Sequence, residues 1–316
     1  MAYKSSSEAN IIGSPVYFFY DCETTGLDAH EDRIIEIAAV LDTHHLPQPH
    51  TSTAYHLGSD DNHFTSLCYC TKDINPDSAK VVGLTLAELR SKPKLSAVLD
   101  KFFKWISRKV SEVERQSHSK CTPVLVAHSG NLLDFPVLLK ELERINSGPL
   151  DQSSCQLVRT FRTLNLNFVD TFPVFKKMSV DSDPIFKGLE SLSMKAIYKH
   201  FFPHKPYEGH RALEDAKALG KIFTNSPVSK KLSELQVMAR STDMAYSKWK
   251  QFEMKRAGIH RNKAEDLVRK RIYLQEMEEE YKRAPRTFRD YLHRRVDIRR
   301  PSDEMMEYFS SLKVTD

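Results

Sequence analysis

The chain has 316 residues, 40% of them hydrophobic, and carries 47 basic against 42 acidic side chains for a net charge of +5. That is enough apolar material for a globular core in one large domain or two smaller ones. No run approaches the roughly eighteen apolar residues of a membrane span, and the opening MAYKSSSEANIIGS has no apolar leader core or cleavage site, so no membrane association and a cytoplasmic or nuclear protein are expected. The five cysteines (Cys22, Cys68, Cys70, Cys121 and Cys155) show no CxxC spacing, which argues against a zinc finger and for free thiols in a reducing compartment.

In chain order, residues 1–13 are expected to be a flexible N-terminus. Val16 to Tyr20 reads as a buried strand and Arg33 to Val40 as a second, with a Gly-bearing turn between them that makes a hairpin. A third strand is expected near Thr51 to Leu57. INPDSAKVVGLTLAELRSKP follows as a turn-rich stretch with a short helix around Thr85 to Arg90. Leu95 to Val113 has apolar residues at helical spacing, and CTPVLVAH is a short apolar run of the kind found in inner strands. A helix from about Asn131 to Ile145, a strand at Asn167 to Thr171, and helices near Leu189 to His200 and Arg211 to Phe223 complete the pattern. Three opening strands followed by alternating helices and strands predict an α/β fold with a layered sheet over residues 14–224.

Beyond that point the composition changes. Residues 1–229 hold 26 basic and 27 acidic side chains, whereas residues 230–316 hold 21 against 15 and are almost all helix formers, without a strand signal. The second part reads as a basic helical extension. Its charge fits either a polyanion partner or a solvated helical surface.

One stretch carries chemistry. In FFYDCETTGLD an apolar strand ends in two acids one residue apart, so Asp21 and Glu23 point to the same face and Cys22 to the other. Two carboxylates held side by side repel unless a cation lies between them, and a divalent metal takes oxygen ligands of this kind; a solvated strand end is the other reading. Metal chemistry needs further ligands. Asp134 lies in an apolar helix, LVAHSGNLLDFPVLLKELE, where an acid requires a partner or the helix N-terminus. In EGHRALEDAKAL, His210 stands at a helix entrance and Asp215 about a turn and a half further on.

These motifs, in this order, resemble the DEDDh (DnaQ-like) 3′→5′ exonucleases: DCETTGLD resembles the first, AHSGNLLDFPVLL the second and HRALEDA the third. IIEIAAV and VVGLT resemble the flanking strand and loop, and the likeness spans about residues 14–224. Within the family, LVAHSGNLLDFPVLLKELE and SLSMKAIYKHFF are most similar to the three-prime repair exonucleases. The resemblance implies an RNase H-like fold and a pair of Mg²⁺ ions, replaceable by Mn²⁺. Asp21, Glu23, Asp134 and Asp215 would be the metal-binding acids, and His210 the general base. It also implies removal of nucleoside 5′-monophosphates from 3′ ends of DNA, with little sequence preference. Leu27 would wedge against the terminal base, Val81 and Leu84 would pack the next one, Thr24 and Thr25 would hydrogen-bond the terminal sugar, and His128 and Ser129 join the substrate-binding set. Relatives of this branch often form homodimers. Ser129 and Leu133 depart from it, standing where it has Asn and an aromatic residue, and the segment after Lys230 matches nothing in it. RNA cleavage by the same two-metal mechanism, a binding module that has lost catalysis, and a protein whose extension binds nucleic acid or a protein partner are the rival readings.

Overall fold

The computed structural model describes residues 13–47, 61–147, 152–180, 184–207, 209–224, 226–229, 239–241 and 245. The extension expected over 230–316 lies outside them apart from 239–241 and 245, as do the N-terminal segment expected over 1–13, apart from Gly13, and the strand expected at Thr51 to Leu57.

The sheet opens with the expected hairpin. β1 (Ser14–Thr24) pairs antiparallel with β2 (Ile34–Leu41), which pairs with β3 (His63–Leu67). β4 (Cys121–Ala127) lies parallel to β1 on its other side, and β5 (Asn167–Asp170) lies parallel to β4. A two-residue strand, β6 (Arg240–Ser241), adds antiparallel to β5, so the order is β3-β2-β1-β4-β5-β6. This is the mixed sheet of the RNase H-like fold. β6 was not anticipated, since two residues carry no readable alternation; Ala239 beside it is buried in the core.

Helices cover both faces. α3 (Leu95–Ser117) matches the expected helix and runs a turn further, to a left-handed cap at His118. α4 (Asp134–Ser147), α7 (Met194–Phe201) and α8 (Ala212–Thr224) also stand where helical spacing put them. α2 (Leu86–Leu89) is the short helix at Thr85, closed by a reciprocal Thr85 and Glu88 cap. Four α-helices among the described residues were not foreseen: α1 (Pro76–Val82), α5 (Gln152–Thr163), α6 (Thr171–Val180) and the single turn α9 (Ser226–Ser229). α1 hides in the stretch read as turns because its punctuation is dense. Asn75 caps it, Pro76 begins it, and Gly83, at φ 69°, ends it in the left-handed region.

Strand alternation decides which helix meets which acid. Tyr17 and Phe19 of β1 pack with Ile222 and Phe223 of α8, and the Phe19 and Phe223 rings stack at 5.7 Å. Phe18 and Tyr20 face the other way, against Trp105 and Phe102 of α3 and Phe135 of α4. Asp21 and Glu23 continue the Tyr17 and Phe19 series and so emerge on the α8 side. Cys22 continues the series that faces α4.

Candidate active site

The register of β1 breaks between Glu23 and Thr24, two residues after Asp21, and Glu23 is paired across the hairpin with Glu36. Such a bulge re-aims the end of a strand. On the α8 side, carboxylate oxygens of Asp21, Glu23 and Asp215 all lie within 4.8 Å of one another. Loss of water, followed by repulsion from Asp134, Asp215 and Glu23, pushes Asp21 well above the usual carboxylate range. Desolvation with repulsion from Asp215 and Glu36 pushes Glu23 up to about 7, against an opposing pull from Arg211. Three acids gathered this way form a hard-oxygen donor set whose own charge opposes its assembly. A divalent cation fits it.

Asp134 reaches the group from the other face. It begins α4, is buried, and accepts hydrogen bonds from the Cys22 backbone N–H at 3.2 Å and from the Cys22 thiol. Burial pushes it up to about 7 while those donors pull it back. Asp134 therefore acts on Asp21 electrostatically but stands outside the tight trio. The loop before it is fixed by Asp170, which the sequence reading passed over. One Asp170 oxygen accepts from the Asn131 N–H and the other from the Phe172 N–H.

The turn into α8 is the most constrained part of the site. His210 has a φ of 76°, uncommon for a residue with a side chain. Its backbone N–H donates to Asp215 Oδ2 at 2.6 Å, while the Tyr207 hydroxyl donates to Asp215 Oδ1. Asp215 is thus gripped through both oxygens by the segment that carries His210. Arg211 adds a two-pronged ion pair: its Nε and Nη2 each donate to Glu36 at 2.9 Å, and Glu36 is only 2% exposed. His210 is exposed and stands five residues before Asp215. Glu36, Arg211 and Tyr207 were not singled out from the sequence. The signal was present for Glu36, a lone acid inside the apolar run IIEIAAV, which had to find a cation.

The residues expected to touch substrate divide into two groups. Leu27, 84% exposed, and Val81, 50% exposed, flank a groove of about 340 Å³ that Cys22, Glu23, Thr24 and Leu133 also line. α1 holds Val81 there, because the Asn75 N–H donates to the Thr25 carbonyl at 2.7 Å. Leu84, by contrast, is buried with Ile35, Val82 and Leu89 and does not reach the groove. Thr25 is fully buried and occupied: its hydroxyl donates to Asp32 and accepts from the Arg33 N–H. His128 spends both ring nitrogens on the Thr171 hydroxyl and the Leu192 carbonyl, and burial lowers its pKa. Ser129, at φ 60°, accepts from the Leu132 N–H in the loop before Asp134. Leu84, Thr25 and His128 therefore shape the site from behind, because their apolar or polar surfaces are already taken, while Ser129 is engaged there through its backbone carbonyl.

The exonuclease family model RNase_T matches residues 18–223, which include every acid described above. The chain belongs to this exonuclease family. It is a nuclease by descent, and the motifs that resemble the DEDDh enzymes all fall inside the matched region. Among curated relatives it is 26% identical to the DNA polymerase III subunit epsilon of Treponema pallidum, covering 71% of this chain and 89% of that protein. It is 27% identical to human Three-prime repair exonuclease 1, over 65% of this chain and 61% of that protein. A structure of exonuclease I is 16% identical with a TM-score of 0.46, covering 70% of this chain and 44% of that one.

Proposed function

We propose that this exonuclease removes nucleoside 5′-monophosphates from the 3′ end of DNA with the help of two divalent cations, Mg²⁺ by preference and Mn²⁺ as a substitute. The observation that carries the reading is the trio of Asp21, Glu23 and Asp215 oxygens within 4.8 Å, set beside a groove with exposed Leu27 and Val81 at its edge. The direction and the substrate are supported by the names of two relatives, a three-prime repair exonuclease and a DNA polymerase subunit.

Asp21, Glu23 and Asp215 would hold the inner ion. Asp21 would be shared with an outer ion on the Asp134 side. Two such ions supply charge neutralisation at the phosphate and an acidified water for in-line attack. The protein's own share is positioning and proton transfer. Asp215 stays oriented through the His210 N–H and the Tyr207 hydroxyl, so the acid and the base move as one piece. His210, exposed, accepts the proton of the attacking water, a role worth about 10²–10⁴-fold in rate. Leu27 and Val81 present apolar surface to the terminal nucleotide. Apolar contact of this kind reads no sequence, which fits an enzyme that digests any 3′ end.

The test uses 5′-labelled DNA and a matched RNA, with Mg²⁺ or EDTA, beside the His210→Ala variant. A metal-dependent ladder that shortens from the 3′ end, faster on DNA and lost in the variant, is the expected result. Faster RNA digestion overturns the substrate, and no ladder on either overturns the activity.

A further inference from the structure

Next to the acids, on the outer side of α8, lies a second concavity of about 200 Å³ lined by Tyr198, Lys205, Tyr207, Glu214, Lys217 and Lys221. It is smaller than a typical small-molecule site of about 300–1,000 Å³. Its lining is charged: three lysines face one carboxylate, and that carboxylate, Glu214, is held by Lys217 at 2.8 Å. Lys205 and Lys221 have no carboxylate partner among the described residues. Each lies instead over an aromatic ring, Lys205 5.5 Å from the Phe202 centroid and Lys221 6.0 Å from that of Tyr198. Cation and ring contacts of this kind orient an ammonium group without neutralising it.

Resting on the exonuclease reading above, we propose that this lysine pocket binds the backbone phosphates of the substrate strand upstream of the scissile bond. Three observations support it. First, the pocket is continuous with the catalytic acids through one side chain, because the Tyr207 ring lines it while the Tyr207 hydroxyl donates to Asp215. Second, that side chain is locked in place. A Cβ on Gly209 would stand 2.2 Å from the Tyr207 ring, so the ring rests directly on backbone, and its other neighbour is Tyr198 at 5.5 Å. Third, the Leu27 groove includes Cys22 and Leu133, on the α4 side of β1, whereas the lysines stand on α8 and the loop before it. A strand with its terminal nucleotide in the groove and its scissile phosphate over the acids is then led toward the lysines. The rings are occupied by one another and by the ammonium groups, so the pocket recognises charge and not bases. Phosphate contacts position a strand without reading it.

The experiment measures binding of single-stranded DNA to the full chain by fluorescence anisotropy across a salt series. The Asp21→Asn background prevents digestion, with and without Lys205→Gln plus Lys221→Gln. A control pair, Lys101→Gln plus Lys120→Gln, removes the same charge from exposed positions on α3 and just before β4. If both lysines contact phosphates, the slope of log K against log salt becomes shallower by about 1.4 in the pocket pair and is unchanged in the control pair. Equal slopes in all three chains, or an equal loss in both pairs, overturn the proposal. Hydrolysis of a dinucleotide in the Asp21 background restored to wild type separates the two readings. The pocket pair should digest the dinucleotide normally and longer strands with a raised KM. Failure of the unmodified chain to cut either substrate counts against the exonuclease reading alone, because the binding slopes still decide the pocket.

Discussion

The two sides of β1 treat their carboxylates differently. On the α4 side the acids are met by donors of the chain, although one buried Glu141 oxygen has none among the described residues. Asp134 accepts from Cys22, Glu141 is met by Arg33 at 2.7 Å and Arg144 at 3.1 Å, and Asp32 is met by Thr25, the Asp28 N–H and Lys72. On the α8 side, among the described residues, the carboxylates of Asp21 and Glu23 receive no hydrogen bond although Asp134, Asp215 and Glu36 press on them. Both are half-buried, so water reaches part of each carboxylate while its acidic neighbours repel it. The α4 acids are held largely by donors of the chain, whereas the α8 acids repel one another and form the donor set that the proposed cations would fill.

The sharpest way to break this contrast is Asp21→Asn, which removes the acid that both sides address. Loss of DNA digestion should exceed the about 10²–10⁴-fold that a missing general base costs, and isothermal titration with Mn²⁺ should show the tight site gone. His210→Ala comes next. It should fall within that range while Mn²⁺ binding persists, since the imidazole is no ligand in this arrangement. Comparable loss of metal binding in both variants would show that the turn carrying His210 and the acid cluster are one unit. Asp134→Asn should cost less. An amide keeps an acceptor for the Cys22 N–H, so the fold should survive, with metal affinity lowered about 10–100-fold in the same titration.

Much of this contrast was legible in advance, for a reason of spacing. Asp21 and Glu23 lie two apart on a strand, and His210 and Asp215 five apart at a helix entrance, so each pair announces its own geometry. The sheet core was legible for the same reason, because Phe18 to Tyr20 and Val124 to Val126 are continuous apolar runs. What escaped was every feature defined by a partner far along the chain. Glu36 and Arg211 are 175 positions apart and Asp170 and Asn131 are 39 apart, so nothing local marks them as pairs. Leu84 and Thr25 erred in the opposite sense. Their residue types suit a binding surface, but packing under α2 and the Asp32 contact consume them.

Glu36→Gln sharpens the comparison at the one buried acid on the α8 side that does find a cation. Removing one partner of a fully buried ion pair costs about 3–5 kcal/mol. Arg211 is 49% exposed and water relieves part of that cost, so about 1–3 kcal/mol is expected, read as a lower thermal midpoint. Arg211→Ala should be worse than Glu36→Gln, because it strands a buried carboxylate beside Glu23. Greater stability in Arg211→Ala than in Glu36→Gln would show that Glu36 had no need of its partner.

The smallest effect is a pH dependence, and its sign follows from the direction of the shifts. Glu23 rises from 4.5 to about 7 and Asp134 from 3.8 to about 7, so between pH 4 and 7 the folded chain binds more protons at these groups than the unfolded chain does. Their favourable contribution is complete below the unfolded values and is lost as pH climbs through the folded ones. Other carboxylates work against this trend, among them Asp32, where burial raises the pKa but is outweighed by hydrogen bonds from Lys72, Thr25 and the Asp28 N–H. The measurement is therefore a difference. Thermal midpoints of the metal-stripped chain and of Glu23→Gln, taken from pH 4.5 to 7.5, should diverge as pH rises, with the variant ahead at the top of the range. Adding Mn²⁺ should close the gap by stabilising only the chain that keeps all its acids. Midpoints that track each other across the series would mean that Glu23 titrates as it does when unfolded, and that the α8 side is not waiting for a cation.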